Sequence, residues 1–389
     1  MKKKRKKVLL IILAVFAILV AAVFYFLPVR LLVHTMFLGP EHFTEVRLDD
    51  TIHFDFKDWH MLFEAEVNGE PDTLMYDSGV NSMMILMYTP STQPEGMKFY
   101  RNRVTGADKK SSIKTTTLPV KIGTDRVDNT GIGLAVLNSE PPLCEKLTIS
   151  DHHLLGFESL DIGHCMLDFT HREIRFLSYS GPIDTIGYVP IKCAVKRNVL
   201  WVYPQIEGVE YECIFDTGNG NAGFLLKDEE RVKNPKLNDC VYEGSYGTSI
   251  GGRTSNRRFV RVPQGSFSLA GIDKEVDLTY VKDLPHDNMG LKAISQFDWI
   301  ISMSRTPKVY VKPRVTDENK YFEYKRYRLV ASEGYLKIVS RHIDGKEAFK
   351  VGDRIVSING EPITGENICY YYNLLSESND WSGFDVVVK

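Results

Sequence analysis

Two short triplets carry the chemistry this sequence suggests. Asp77-Ser78-Gly79 and Asp216-Thr217-Gly218 each follow two apolar or aromatic residues, in MYDSG and IFDTG. Two carboxylates brought face to face cannot both ionise cheaply, so they share one proton. One then serves as a base and the other as an acid. A water held between them is deprotonated as it attacks a peptide carbonyl, while the protonated partner assists the carbonyl oxygen. Gly79 and Gly218 lack side chains, which lets backbone approach the pair closely. Ser78 and Thr217 can pass hydroxyls from one loop to the other and fix both. Such a site needs no metal, no cofactor and no covalent nucleophile. Either triplet alone could be a turn ending a strand, because Asp, Ser and Gly are turn formers. Two copies at one place in a repeat are harder to explain that way.

The surrounding sequence supplies that repeat. From His60 it reads HMLFEAEVNGEPDTLMYDSG, and from Leu200 it reads LWVYPQIEGVEYECIFDTG. Each copy is a strand, a glycine turn, a second strand and the triplet. Asn68-Gly69 suits a tight hairpin. Downstream, each half has an apolar step into glycine, Leu154-Leu155-Gly156 and then Met289-Gly290. Each half closes on a strand pair, MLDFTHREIRFL and WIISMSRTPKVYV. Short alternating runs dominate and long 3.6-residue periods are few, so the chain is expected to be mainly β. The pattern indicates an internal duplication with one unit on each side of a pseudo-twofold axis.

Residues 55–313 resemble the aspartic peptidases, with two retropepsin-like halves fused in one chain. The residues that carry the resemblance are the two triplets and the two apolar-glycine steps. It implies a bilobal, β-rich aspartic-protease fold, catalytic Asp77 and Asp216, and supporting Ser78, Gly79, Thr217 and Gly218. It also implies a peptide cleft beneath hairpin flaps. The flap candidates are VTGADKKSS, with Thr105 and Gly106, and YGTSIGGRTS, with Tyr246 and Gly247. The second half departs from the pattern, since Asn288 stands where an apolar residue is the rule.

From about residue 316 the composition changes, and residues 325–389 resemble a PDZ domain, a small α+β fold. KVGDRIVSINGEPI is the most specific stretch. Such domains add an extended peptide to a strand edge beside a helix. The resemblance places that edge strand at residues 335–339, with Gly334, Tyr335 and Leu336 in the loop that captures a C-terminal carboxylate. The helix falls near residues 367–376. The expected ligand is the C-terminus of a peptide; a module that only buttresses the rest of the chain is the other reading of this tail. The expected domains are therefore 1–35, 36–185, 186–313 and 314–389.

The front of the chain bears on compartment. Residues 2–7 are all basic and residues 8–27 are 20 apolar residues without a charge. As a helix they would span ~30 Å, the thickness of a bilayer's hydrocarbon core. A transmembrane helix with a cytoplasmic basic tail is expected, embedded in membrane lipid, with everything after it extracytoplasmic. A cleaved signal peptide is the alternative, though its apolar region is normally shorter. Lys and Arg total 48 against 50 Asp and Glu; without the six leading cations, 42 basic residues face 50 acidic ones. A basic face for nucleic acid is not indicated. The six cysteines show no C-x-x-C spacing and read mainly as buried small hydrophobes, with disulfides open if the compartment oxidises. His152, His153, His164 and His171 lack metal-site spacing. Two functions follow from these features. One is a membrane-anchored aspartic endopeptidase whose PDZ tail selects or tethers substrates. The other is a non-catalytic anchored scaffold that only binds peptides.

Overall fold

The computed structural model describes residues 2–26, 29–38, 42–57, 59–89, 91–92, 94–106, 110–137, 143–144, 152–249, 252–303, 306–315, 325–344 and 348–389. The protein is mainly β. Its two halves repeat one strand pattern. In the first, His60–Val67 pairs antiparallel with Glu70–Tyr76 across Asn68 and Gly69, both at positive φ (54° and 84°). Those dihedrals make the mirror-image turn whose twist matches a hairpin. The second half repeats the turn at Glu207 and Gly208, at φ 47° and 82°. There the strands are interrupted near Pro204, which has no amide to give to a ladder.

The strand ahead of each triplet then takes a parallel partner. Tyr76 lies opposite Leu155, and Phe215 lies opposite Met289. The strand following each triplet returns antiparallel to the same partner, Met84 against Leu155 and Phe224 against Met289. Each apolar-glycine step is thus the central strand of its half, clasped from both sides. That explains its composition: Leu154, Leu155 and Met289 are buried, and a Cβ on Gly156 or Gly290 would sit 2.1 or 2.2 Å from a backbone carbonyl oxygen.

The halves share one sheet at their junction. His164–Asp168 pairs with Phe297–Ser302, with Met166 opposite Ile300. The flanking pairs, Cys165 with Ile301 and Leu167 with Trp299, exchange under the offset that carries Leu155 to Met289. The pseudo-twofold therefore passes through the Met166 and Ile300 pair. One apolar core runs through both halves, with Trp299 fully buried against Phe215 and Phe297. Burying side chains of this size contributes ~1.5–3 kcal/mol each.

The C-terminal module has its own core around Tyr327, Leu336, Ile338, Ile355, Leu375 and Trp381. It is not suspended on a tether. Cys240–Gly244 of the second half pairs antiparallel with Tyr335–His342, so the module extends that half's sheet. An Arg341 to Glu243 ion pair lies across the seam.

At the front, Lys2–Phe26 is a 25-residue helix that exposes apolar side chains such as Leu10, Phe16 and Ile18. Among the described residues, no helix is long and apolar enough to cross a membrane. The side chains of residues 8–9 and 24–27 lie outside the described set. A second helix, Val29–Met36, packs on the first half, where Thr35 Oγ1 lies 2.7 Å from Thr117 Oγ1. Cys144 and Cys369 form a disulfide, whereas Cys165, Cys193, Cys213 and Cys240 are free. The expectation of buried small hydrophobes holds for Cys165 and Cys213; Cys193 and Cys240 are half-buried, and Cys144 and Cys369, 225 residues apart, meet only through tertiary structure.

Candidate active site

Each triplet sits where its strand ends at the junction, and each aspartate is pinned by its own backbone. The Asp77 amide donates to the Leu155 carbonyl at 2.9 Å, and the Asp216 amide to the Met289 carbonyl at 3.0 Å. The following glycine amide donates to each carboxyl at 3.0 Å, Gly79 to Asp77 Oδ1 and Gly218 to Asp216 Oδ1.

The second residue of each triplet crosses the axis. The Ser78 amide donates to Thr217 Oγ1 at 2.9 Å, and the Thr217 amide donates to Ser78 Oγ at 3.1 Å. Each hydroxyl continues to the carbonyl before the opposite aspartate, Ser78 to Phe215 and Thr217 to Tyr76, both at 2.9 Å. Ser78 and Thr217 are fully buried. Buried polar groups satisfied in this way are costly to disturb and rigidify what they join.

The glycines bring the acids together. A Cβ on Gly79 would lie 2.5 Å from the Asp216 carboxyl carbon, and one on Gly218 would lie 2.2 Å from that of Asp77. Each carboxyl therefore rests on the other half's glycine, and the two carboxyls lie close enough to act on each other directly. Burial, and after it the neighbouring Asp216 charge, holds the Asp77 carboxyl well above the usual carboxylate range. Burial raises Asp216 as well, opposed by donation from Asn288, Asp77 and the amides of Gly218 and Asn219.

Asn288 breaks the symmetry of the site. Its Nδ2 donates to Asp216 Oδ2 at 2.5 Å, and its Oδ1 accepts from Asn219 Nδ2 at 2.7 Å. The matching position in the first half is Leu154, fully buried and apolar. Asp216 thus has a side-chain amide donor where Asp77 has none from that position. The departure from the apolar pattern was visible in the sequence, but the reach of Asn288 to Asp216 was not.

The other candidate residues separate. Thr105 ends Tyr100–Thr105, with its side chain outside the described residues; Gly106 follows, and the hairpin tip at 107–109 lies outside them too. Gly247 leads into the small hairpin Thr248–Ser249 and Gly252–Arg253, whose tip at 250–251 is likewise outside. Tyr246 is buried at the base of that hairpin among Tyr242, Phe259 and Leu284, so its ring is committed to a core and does not overhang the acids.

In the C-terminal module the expected peptide edge is corrected. Gly334, at φ 74°, is in the tight turn where Ser332 faces Tyr335. Leu336 is fully buried, and Tyr335–His342 has strands on both sides, so it offers no edge. Among the described strands of the module, Tyr327–Ser332, Glu361–Pro362 and Val386–Val388 each have one strand partner, and Tyr327–Ser332 is the one packed beside the helix. The helix spans Ile368–Glu377, and residues 316–324 lie outside the described set. Among the described residues, no three His, Cys, Asp or Glu side chains are grouped to hold a metal. His164 instead lies 3.0 Å from Ser302 Oγ, and His171 pairs with Asp168.

No family model matches the chain, and no curated protein matches it. Among solved structures, it is similar to a retropepsin-like aspartic protease from Rickettsia conorii, at 14% identity over 32% of this chain and 90% of that one, with a TM-score of 0.23.

Proposed function

We propose that this protein is an aspartic endopeptidase built from two fused retropepsin-like halves, with a PDZ-like C-terminal module and a membrane anchor. The reciprocal Ser78 and Thr217 hydrogen bonds, which hold two contacting carboxyls on a pseudo-twofold axis, carry this reading. Asn288 donates to Asp216 while the matching Leu154 offers Asp77 no donor, so Asp77 holds the shared proton and Asp216 is the ionised partner. A water between them loses a proton to Asp216 as its oxygen attacks a peptide carbonyl. Asp77 donates to the carbonyl oxygen, giving a neutral tetrahedral diol. Asp216 then passes its proton to the leaving nitrogen while Asp77 takes one from a diol hydroxyl, so the carbon–nitrogen bond breaks to a carboxylic acid and an amine and the pair is restored. Peptides and proteins are the substrates, cleaved in the cleft between the halves.

Digestion of a peptide library by the full chain in detergent tests this reading. Asp77→Asn and Asp216→Asn each lower cleavage by ~10²–10⁴-fold, the share expected of an acid–base group. Unchanged cleavage in both variants refutes the catalytic assignment. Absence of cleavage by the parent protein would favour the peptide-binding scaffold.

The anchor rests on composition joined to helix length. The unbroken run of described side chains in the first helix, residues 10–23, covers ~21 Å; the helix from residue 8 to its end at Phe26 covers ~28 Å, close to the ~30 Å of a bilayer core. With residues 2–7 cytoplasmic, the halves and the C-terminal module face outward, where a disulfide persists. Alkaline extraction checks this: the full chain stays in the membrane pellet and a chain lacking residues 1–27 leaves it. Release of both argues against an anchor.

A further inference from the structure

The strand edge beside the helix of the C-terminal module already has a visitor. Tyr327–Ser332 pairs along one side with Tyr335–His342. Among the described residues, its other side carries one antiparallel bridge, from Ala331 to Leu143. Leu143 belongs to the first half. Its neighbour Cys144 is disulfide-bonded to Cys369 in the first turn of Ile368–Glu377, the helix packed beside that same strand. Cys144 also packs against the module's core. A piece of the first half therefore lies between a strand edge and a helix, in antiparallel sense. Extended peptides add to a sheet in this way. Cys144 takes φ 68°, a left-handed conformation, directly after the bridge, and no other described strand pairs with that edge.

We propose that the groove between Tyr327–Ser332 and Ile368–Glu377 is a peptide-binding site occupied in cis by residues 143–144 and locked by the Cys144–Cys369 disulfide. Its free partner is an extended peptide that places an apolar residue beside Ala331, as Leu143 does. The inference stands whether or not the acid pair is catalytic. Opening proceeds by thiol–disulfide exchange with a dithiol. The two sulfurs of the dithiol become a disulfide, and Cys144 and Cys369 each take one of its protons. Tethering keeps the freed segment at an effective concentration of ~1 mM, so an incoming peptide competes only after the bond is gone.

Hydrogen–deuterium exchange on the full chain in detergent tests the proposal, with the disulfide intact, after dithiothreitol, and in a Leu143→Asp, Cys144→Ser double variant. The expected result is about tenfold faster exchange across residues 327–332 in the double variant, and a smaller acceleration after dithiothreitol, where the tethered segment still competes for the edge, because an edge strand opens locally once its neighbour leaves. Residues 354–358, which are paired within the module, stay protected. A synthetic peptide of residues 140–147, with Ser at the Cys144 position, then restores protection to 327–332 in the double variant at ~1 mM. Unchanged exchange at 327–332 overturns the proposal. So does parallel acceleration at 354–358, which would make the disulfide a staple for the module's fold. Failure of the added peptide to protect the edge overturns it as well.

Discussion

The two halves meet at one axis but do not contribute equally to it. Ser78 and Thr217 perform the same four-bond exchange, with lengths that agree within a few tenths of an ångström. Gly79 and Gly218 each seat the other half's carboxyl. One shell further out the match ends. Leu154 is apolar, whereas Asn288 reaches Asp216 and is itself held by Asn219. The contrast separates two tasks. Bringing two acids together needs symmetry, since each half supplies what the other lacks. Assigning the proton needs asymmetry, since identical surroundings would leave the two acids equivalent.

The symmetric part gives the largest expected effects. Gly79→Ala and Gly218→Ala each place a Cβ inside the opposite carboxyl, and peptide cleavage falls ~100-fold or more, because an ångström of misplacement costs about that much. Similar losses sustain the equivalence; a harmless change in one half would break it. Next come the crossing hydroxyls. Ser78→Ala and Thr217→Val each leave a buried amide without its acceptor, a loss of ~1–3 kcal/mol in unfolding free energy. The double variant loses less than the sum, because both residues belong to one network. Strict additivity in urea denaturation would mean the four bonds act separately.

The asymmetric part gives a smaller and more selective effect. Asn288→Leu copies the first half into the second and removes a donor to the Asp216 carboxylate. A hydrogen bond to a charged group contributes ~1.5–3 kcal/mol, so the Asp216 pKa rises when that donor is lost. The sign follows from the role: Asp216 acts ionised, so the acidic limb of the kcat/KM profile moves to higher pH, while activity on the plateau changes little. An unmoved acidic limb would show that Asn288 does not assign the proton.

Local pattern made much of this legible. The two triplets, the Asn68-Gly69 turn and the two apolar-glycine steps are short-range signals, and each corresponds to a defined piece of backbone. The pieces that stayed hidden depend on distance in the chain. Asn288 could be marked as a departure, yet no rule of spacing says it bonds to a residue 72 positions earlier. Tyr246 has the look of a flap residue because its segment falls between the second triplet and the Met289-Gly290 step; its ring is buried because a core forms around it. Residues 335–339 look like an edge because edges are defined by absent neighbours. Their second neighbour is Arg354–Ile358 of the same module, which pairs with Leu336 and Lys337, while Cys240–Gly244 of the second half takes up residues 340–342.

Sequence by itself determined which residues could be acids, hydroxyl donors and close-approach glycines, because side-chain chemistry and turn dihedrals are properties of a few consecutive residues. Tertiary structure alone decided that Asp77 faces Asp216, that Asp216 takes a side-chain amide donor where Asp77 has the apolar Leu154, and that Cys144 bonds to Cys369. Those outcomes rest on burial and pairing across hundreds of residues, where one packed core fixes all the distances together and no local pattern contains them.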